Sequence, residues 1–118
     1  MFQLRSEQID AFAHAHSESF LLRLRAFMRA HFPDTQLVSD AELKVGLERV
    51  LRKAALYGLD GEQEQASFSV ASWLLGEDFD KDHPQAQAFL SSDRLSSEEK
   101  GSWLDQYVRQ VFQRLQGD

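Results

Sequence analysis

Asp78, Asp80 and Asp82 stand at alternate positions. That is the opening of an EF-hand calcium loop, in which alternating oxygens surround one ion. The copy then departs from the pattern. His83 takes the place of the glycine that makes the sharp turn, Pro84 follows it, and Phe89 replaces the bidentate glutamate that would close the shell. A solvated acidic loop over 77–83 is the reading that follows. The histidines offer no better site. His14 and His16 are two apart, roughly 200° around a helix, so they cannot grip one metal together. His16 and His31 fall on or near an apolar face, where a buried, hydrogen-bonded role is expected. The chain has no cysteine, which excludes disulfides, thiolate zinc sites and cysteine nucleophiles. There is no Gly-x-Ser-x-Gly elbow, and Gly58-Leu59-Asp60-Gly61 reads as a turn between helices rather than a phosphate loop. The carboxylates cluster in loops and caps, without a pair placed for acid–base work. The sequence therefore predicts no catalytic, cofactor-binding or metal-ligating residue, and a protein that acts by binding another protein.

The elements that would position these residues are all helical. Ser6, an N-cap residue with Glu7 and Asp10 behind it, opens a segment to about Phe32, where Pro33 pushes the preceding residue out of the helical region. Its apolar stripe is Ile9, Phe12, Ala13, His16, Phe20, Leu24, Phe27 and His31, and a break near Ser17 would shorten an unusually long helix. Ser39-Asp40-Ala41-Glu42 is a capping box opening a second helix, with Leu43, Leu47, Val50, Leu51, Ala54 and Tyr57 facing inward and Gly58 as its stop. A third spans about Asp60 to Leu75, with Ala66, Val70, Trp73 and Leu74 inward and Gly76 after it. Pro84 begins a short helix through Ala86, Phe89 and Leu90. Ser96-Ser97-Glu98-Glu99 is a second capping box, opening a last helix whose arc is Trp103, Leu104, Tyr107, Val108, Val111 and Leu115. Trp73 and Trp103 are expected to be largely buried. The fold class is all-α, a compact bundle of four longer helices and one short helix in a single domain over 1–118.

Composition agrees. Sixteen Leu and twelve Ala stand against six Val and one Ile, the balance of a helical chain. The formal net charge is −6, and it is uneven: residues 1–57 sum to +1, residues 58–118 to −7. An acidic protein repels a phosphate backbone, so nucleic acid is an unexpected partner. No window approaches a membrane span, and the N-terminal residues lack a signal peptide's apolar stretch, which predicts a cytoplasmic protein.

Some apolar surface is left over from this assignment. Val45, Arg49, Arg52 and Leu56 form a second stripe on the second helix; Phe68, Ala71 and Leu75 lie opposite Val70 and Trp73 on the third; Leu22 points away from the first helix's main stripe. Phe79, set between two acids beside Phe68 and Leu75, has the character of an interface anchor, with Asp78, Asp80 and Asp82 steering a basic partner toward it. The alternative is that Phe79 folds back to cap the core. Phe68, Leu75, Asp78, Phe79, Asp80 and Asp82 are thus the expected partner-binding residues.

Phe32-Pro33, Tyr57-Gly58-Leu59, Leu75-Gly76-x-x-Phe79-Asp80, Pro84-x-Ala86-x-x-Phe89-Leu90 and Leu95-Ser96-x-x-x-Lys100 run through nearly the whole chain. In these landmarks it resembles small helical bacterial accessory proteins encoded beside type VI secretion effectors and their loading chaperones. The resemblance implies a non-enzymatic co-chaperone that binds an effector-loading chaperone, or the effector, in the cytoplasm. It marks no interface residues. A second reading is an immunity protein whose acidic half plugs the active site of a basic toxin.

Overall fold

The structure, a computed structural model, describes the backbone of residues 6–115 and the side chains of residues 18–114. Among the described residues there are only helices: α1 (Ser6–His31), a 3-10 helix (Pro33–Leu37), α2 (Asp40–Leu56), α3 (Glu62–Leu75), α4 (Phe79–Asp82), α5 (Pro84–Leu90) and α6 (Ser97–Leu115). The four long helices and the short α5 match the expectation. The single turn α4 replaces the loop expected over 77–83. The chain divides into two compact units, residues 1–48 and 49–118, with the boundary inside α2.

In the first unit α1 runs past Ser17 without a break. It ends at His31 because Phe32 precedes a proline and is driven to an extended conformation, φ −126° and ψ 97°. The 3-10 helix that follows is held from two directions. Thr35 is fully buried and its hydroxyl donates to the Phe32 carbonyl at 2.7 Å. The Arg29 guanidinium reaches the carbonyls of Thr35 (2.7 Å) and Val38 (3.0 Å) and the Asp40 carboxylate (2.7 Å). One rigid fork thereby ties the end of α1 to the start of α2. Ser39 caps α2 by accepting the Glu42 N–H at 3.2 Å. Among the described side chains of α1, the buried apolar ones are Phe20, Leu21, Leu24 and Met28. Phe27 is 45% exposed and meets exposed His31 at a tilt, ring centroids 4.4 Å apart, so neither is in the core as expected. Residues 20, 21, 24 and 28 trace a tighter arc than one passing through 27 and 31, and the helix turns that arc inward. Ile9, Phe12, Ala13, His14 and His16 lie outside the described side chains.

In the second unit α2 ends in a Schellman motif. Leu59 N–H bonds the Ala54 carbonyl at 3.1 Å and Gly58 N–H bonds the Ala55 carbonyl at 3.0 Å, with Gly58 at φ +84°. Leu59 and Ala54, the pair the motif brings together, are both fully buried. The remaining Tyr57 carbonyl accepts Lys100 Nζ at 2.7 Å, a cation placed where a helix C-terminus favours one. At the start of α6, beside this turn, the Ser96 box is complete: Ser96 Oγ accepts Glu99 N–H (3.1 Å) and the Glu99 carboxylate accepts Ser96 N–H (3.0 Å).

The core of this unit is Val50, Ala54, Leu59, Phe68, Ala71, Phe79, Ala86, Leu90 and Leu104. Here α3 departs from expectation. Phe68 and Ala71, read as a spare face, are fully buried, whereas Ala66, Val70, Trp73 and Leu74 are only half-buried. The helix is apolar around most of its circumference, so periodicity does not choose the inward side. Phe68 goes in because Phe79 meets it, ring centroids 5.1 Å apart. Along its other flank α3 approaches α6 closely. A Cβ built on Gly101 would lie 2.8 Å from Glu64 Cγ and 3.4 Å from its Cα. No helix among the described residues is long and apolar enough to cross a membrane.

Candidate protein-binding surface

The six residues expected to meet a partner are not one surface. Phe68 and Phe79 are fully buried against each other, so the exposed anchor expected at Phe79 is corrected to a core residue. The reason is α4: one helical turn after Gly76 rotates Phe79 inward, where Phe68 and Tyr57 line the space. Leu75 is half-buried against the core, while Asp78 and Asp82 are exposed.

Asp80 is fully buried, and its surroundings explain how a carboxylate sits there. Tyr57 hydroxyl donates to Oδ2 at 2.6 Å and Lys53 Nζ donates to Oδ1 at 2.9 Å. Burial alone would push the Asp80 carboxyl up, but the hydrogen bonds from Tyr57 and Lys53 and the Lys53 charge bring it below the ordinary carboxylate value. Burial, then the bond to Asp80 and that carboxylate's charge, push the Tyr57 hydroxyl up to about 12. Burial works against the Lys53 ammonium, yet Asp80 and Asp78 together hold its pKa above the ordinary value. Lys53 Nζ also donates to the Glu77 carbonyl at 2.8 Å, and Arg49 pairs with the Glu77 carboxylate. The acidic segment is thus a fastening between α2 and α4. Asp80 is committed to it, and no group of three carboxylates or imidazoles among the described residues could hold a metal ion.

A different surface is built by α5 and α6. Phe89 stacks on Trp103 with ring centroids 4.4 Å apart and planes 11° from parallel, and Trp103 stacks on Tyr107 at 4.8 Å and 12°. His83 meets Tyr107 edge-on and its Nδ1 shares a hydrogen bond with the Tyr107 hydroxyl. Phe89 is 38% exposed, and Trp103 and Tyr107 are half-buried. Trp103 and Trp73, expected to be largely buried, are both of intermediate exposure, and Trp103 packs against the core from its edge. The row of rings is flanked by two open grooves. One, of about 370 Å³, lies beside His83, Pro84, Tyr107 and Arg114. The other, of about 440 Å³, is floored by Phe89, Leu95 and Trp103 and rimmed by Glu98, Glu99 and Gln106.

Sequence reasoning placed Trp103 and Tyr107 on the apolar arc of the last helix and Phe89 in the short one, without joining them into one surface. The available signal was spacing: Trp103 and Tyr107 are one helical turn apart, while Leu104 and Val108 follow them on a neighbouring line. Leu104 is the fully buried residue of the four, which places the two aromatics at the edge of the packed arc. No protein-family profile, curated protein or solved structure matches the chain.

Proposed function

We propose that this chain is a non-enzymatic accessory protein that binds another protein through the aromatic face of α5 and α6. Its partner is an effector-loading chaperone of the type VI secretion kind, met in the cytoplasm. The observation that carries the reading is the stacked Phe89–Trp103–Tyr107 row, left partly open to solvent. Rigid aromatics lose little side-chain freedom on binding and supply most of the energy at many interfaces. The partner's identity is supported by the sequence landmarks described above.

The test is to purify the chain with the effector-loading chaperone from the same cell and titrate one with the other. A stoichiometric complex is expected, weakened by Phe89→Ala by about 2 kcal/mol, roughly thirtyfold in Kd. A purified pair that does not associate removes the chaperone assignment. The −7 charge of residues 58–118 favours one other reading, immunity, which predicts instead a complex with a basic toxin whose activity it abolishes.

A further inference from the structure

We infer that the groove over Phe89 and Trp103 seats an arginine side chain presented by the partner protein, an inference that rests on reading this face as the binding surface. Three features converge there. The floor is aromatic: Trp103 is stacked between Phe89 and Tyr107, so the ring face left for a cation is the outer one of Phe89, the most exposed of the three. The rim carries two carboxylates, Glu98 and Glu99, and none of the lining residues is cationic. Glu99 is partly occupied, since one of its oxygens accepts the Ser96 N–H. Glu98 is exposed and has no hydrogen-bond or ion-pair partner among the described residues. An aromatic surface beside an uncommitted carboxylate suits a planar cation. A guanidinium lies on a ring face while its N–H fork meets a carboxylate edge-on, which an ammonium cannot do as well. The other groove differs in this respect, because its one carboxylate, Asp82, is offset by Arg114, whereas the groove over Phe89 holds two carboxylates and no cation. The cation also suits the charge of the surrounding chain, −7 over residues 58–118.

The probe is acetyl-glycyl-arginyl-glycine amide added to the full chain in low salt, with its citrulline counterpart as the neutral isostere. Proton–nitrogen correlation spectra follow the indole N–H of Trp103, distinguished from that of Trp73 by the Trp73→Phe variant. The arginine peptide is expected to shift the Trp103 indole saturably, with Glu98 and Gln106 amides following. The citrulline peptide and the Glu98→Gln variant should each weaken the response about three- to fivefold, the scale of one exposed cation–π or ion-pair contact. Equal responses to both peptides, an unchanged Glu98→Gln variant, or shifts scattered over the acidic surface would overturn the inference. Two further results separate it from the proposed function. A chaperone complex lost with Phe89→Ala but indifferent to Glu98→Gln and to salt sinks the arginine seat and keeps the binding face. A peptide response confined to the groove without any chaperone complex does the reverse.

Discussion

Phe79 and Tyr57 carry the sharpest consequences at the scale of single residues. Phe79 is fully buried against Phe68, so Phe79→Ala should cost about 3–5 kcal/mol and lower the melting temperature by well over ten degrees, at roughly 4 °C per kcal/mol. Trp73→Ala should cost less, because Trp73 is only half-buried. Thermal unfolding of the two variants checks the order, and a larger loss at Trp73 would contradict it. Tyr57 sets a pH dependence. Its hydroxyl is pushed up to about 12 from an ordinary 10.0, so the folded chain holds that proton more tightly than the unfolded chain does. The stability it contributes is complete below pH 10 and is lost as pH rises from about 10 to about 12. Tyr57→Phe should flatten that alkaline decline in urea unfolding, and at neutral pH should cost about 1–3 kcal/mol, because buried Asp80 loses a donor. Asp80 acts at the other end. Its carboxyl lies below the ordinary value, so its contribution is present above that value and fades as pH falls through the folded one. Its burial was beyond reach of the sequence: Asp78-x-Asp80-x-Asp82 looks alike at all three positions, and only Lys53 and Tyr57, more than twenty residues earlier, single out the middle one.

Helix boundaries were legible wherever the signal was local. Ser39, Ser96, Pro33 and Gly58 each act through atoms a few residues away, and each stops or starts a helix where its chemistry predicts. The inward face of α3 was not legible, because Phe68 and Ala71 compete with Val70 and Trp73 and the choice depends on Phe79 across the core. Nor was α4, a single turn held by Lys53 of α2 and by Tyr57 just after that helix. The same limit hid the aromatic face, since Trp103 and Leu104 are adjacent and only packing shows which one is enclosed. Two glycines inside helices give a paired prediction. A Cβ at Gly46, within α2, meets nothing within 4 Å, so Gly46→Ala should stabilise by about 0.5–1 kcal/mol through helix propensity. Gly101→Ala gains the same propensity but pushes α6 against Glu64 of α3, at an overpacking cost of about 1–3 kcal/mol. Chemical denaturation should raise the first midpoint and lower the second. A rise in both would mean that α3 and α6 separate without penalty.

At the scale of the whole molecule, the landmarks that carry the family resemblance gather largely inside residues 49–118. Leu59, Phe79, Ala86 and Leu90 are core residues, Tyr57 bonds Asp80, and Lys100 bonds the Tyr57 carbonyl. Such positions specify how the chain folds; among the landmarks, Phe89 also reaches the aromatic face of α5 and α6. Native-state hydrogen exchange should find the slowest amides of this unit near Phe68, Ala71 and Leu104, each fully buried; fast exchange there would contradict the core described. Lys53 has a consequence of another kind. An amine attacks an acylating reagent only when it has shed its proton, and Lys53 is held protonated by Asp80 and Asp78 and spends its hydrogens on three oxygens. Acetic anhydride should therefore modify it more slowly than exposed Lys44 or Lys81, a difference read by mass spectrometry of the digested chain. Asp80→Asn should bring its labelling close to theirs. The rate at which one lysine takes up an acetyl group thus becomes a chemical gauge of whether the turn after α3 is fastened.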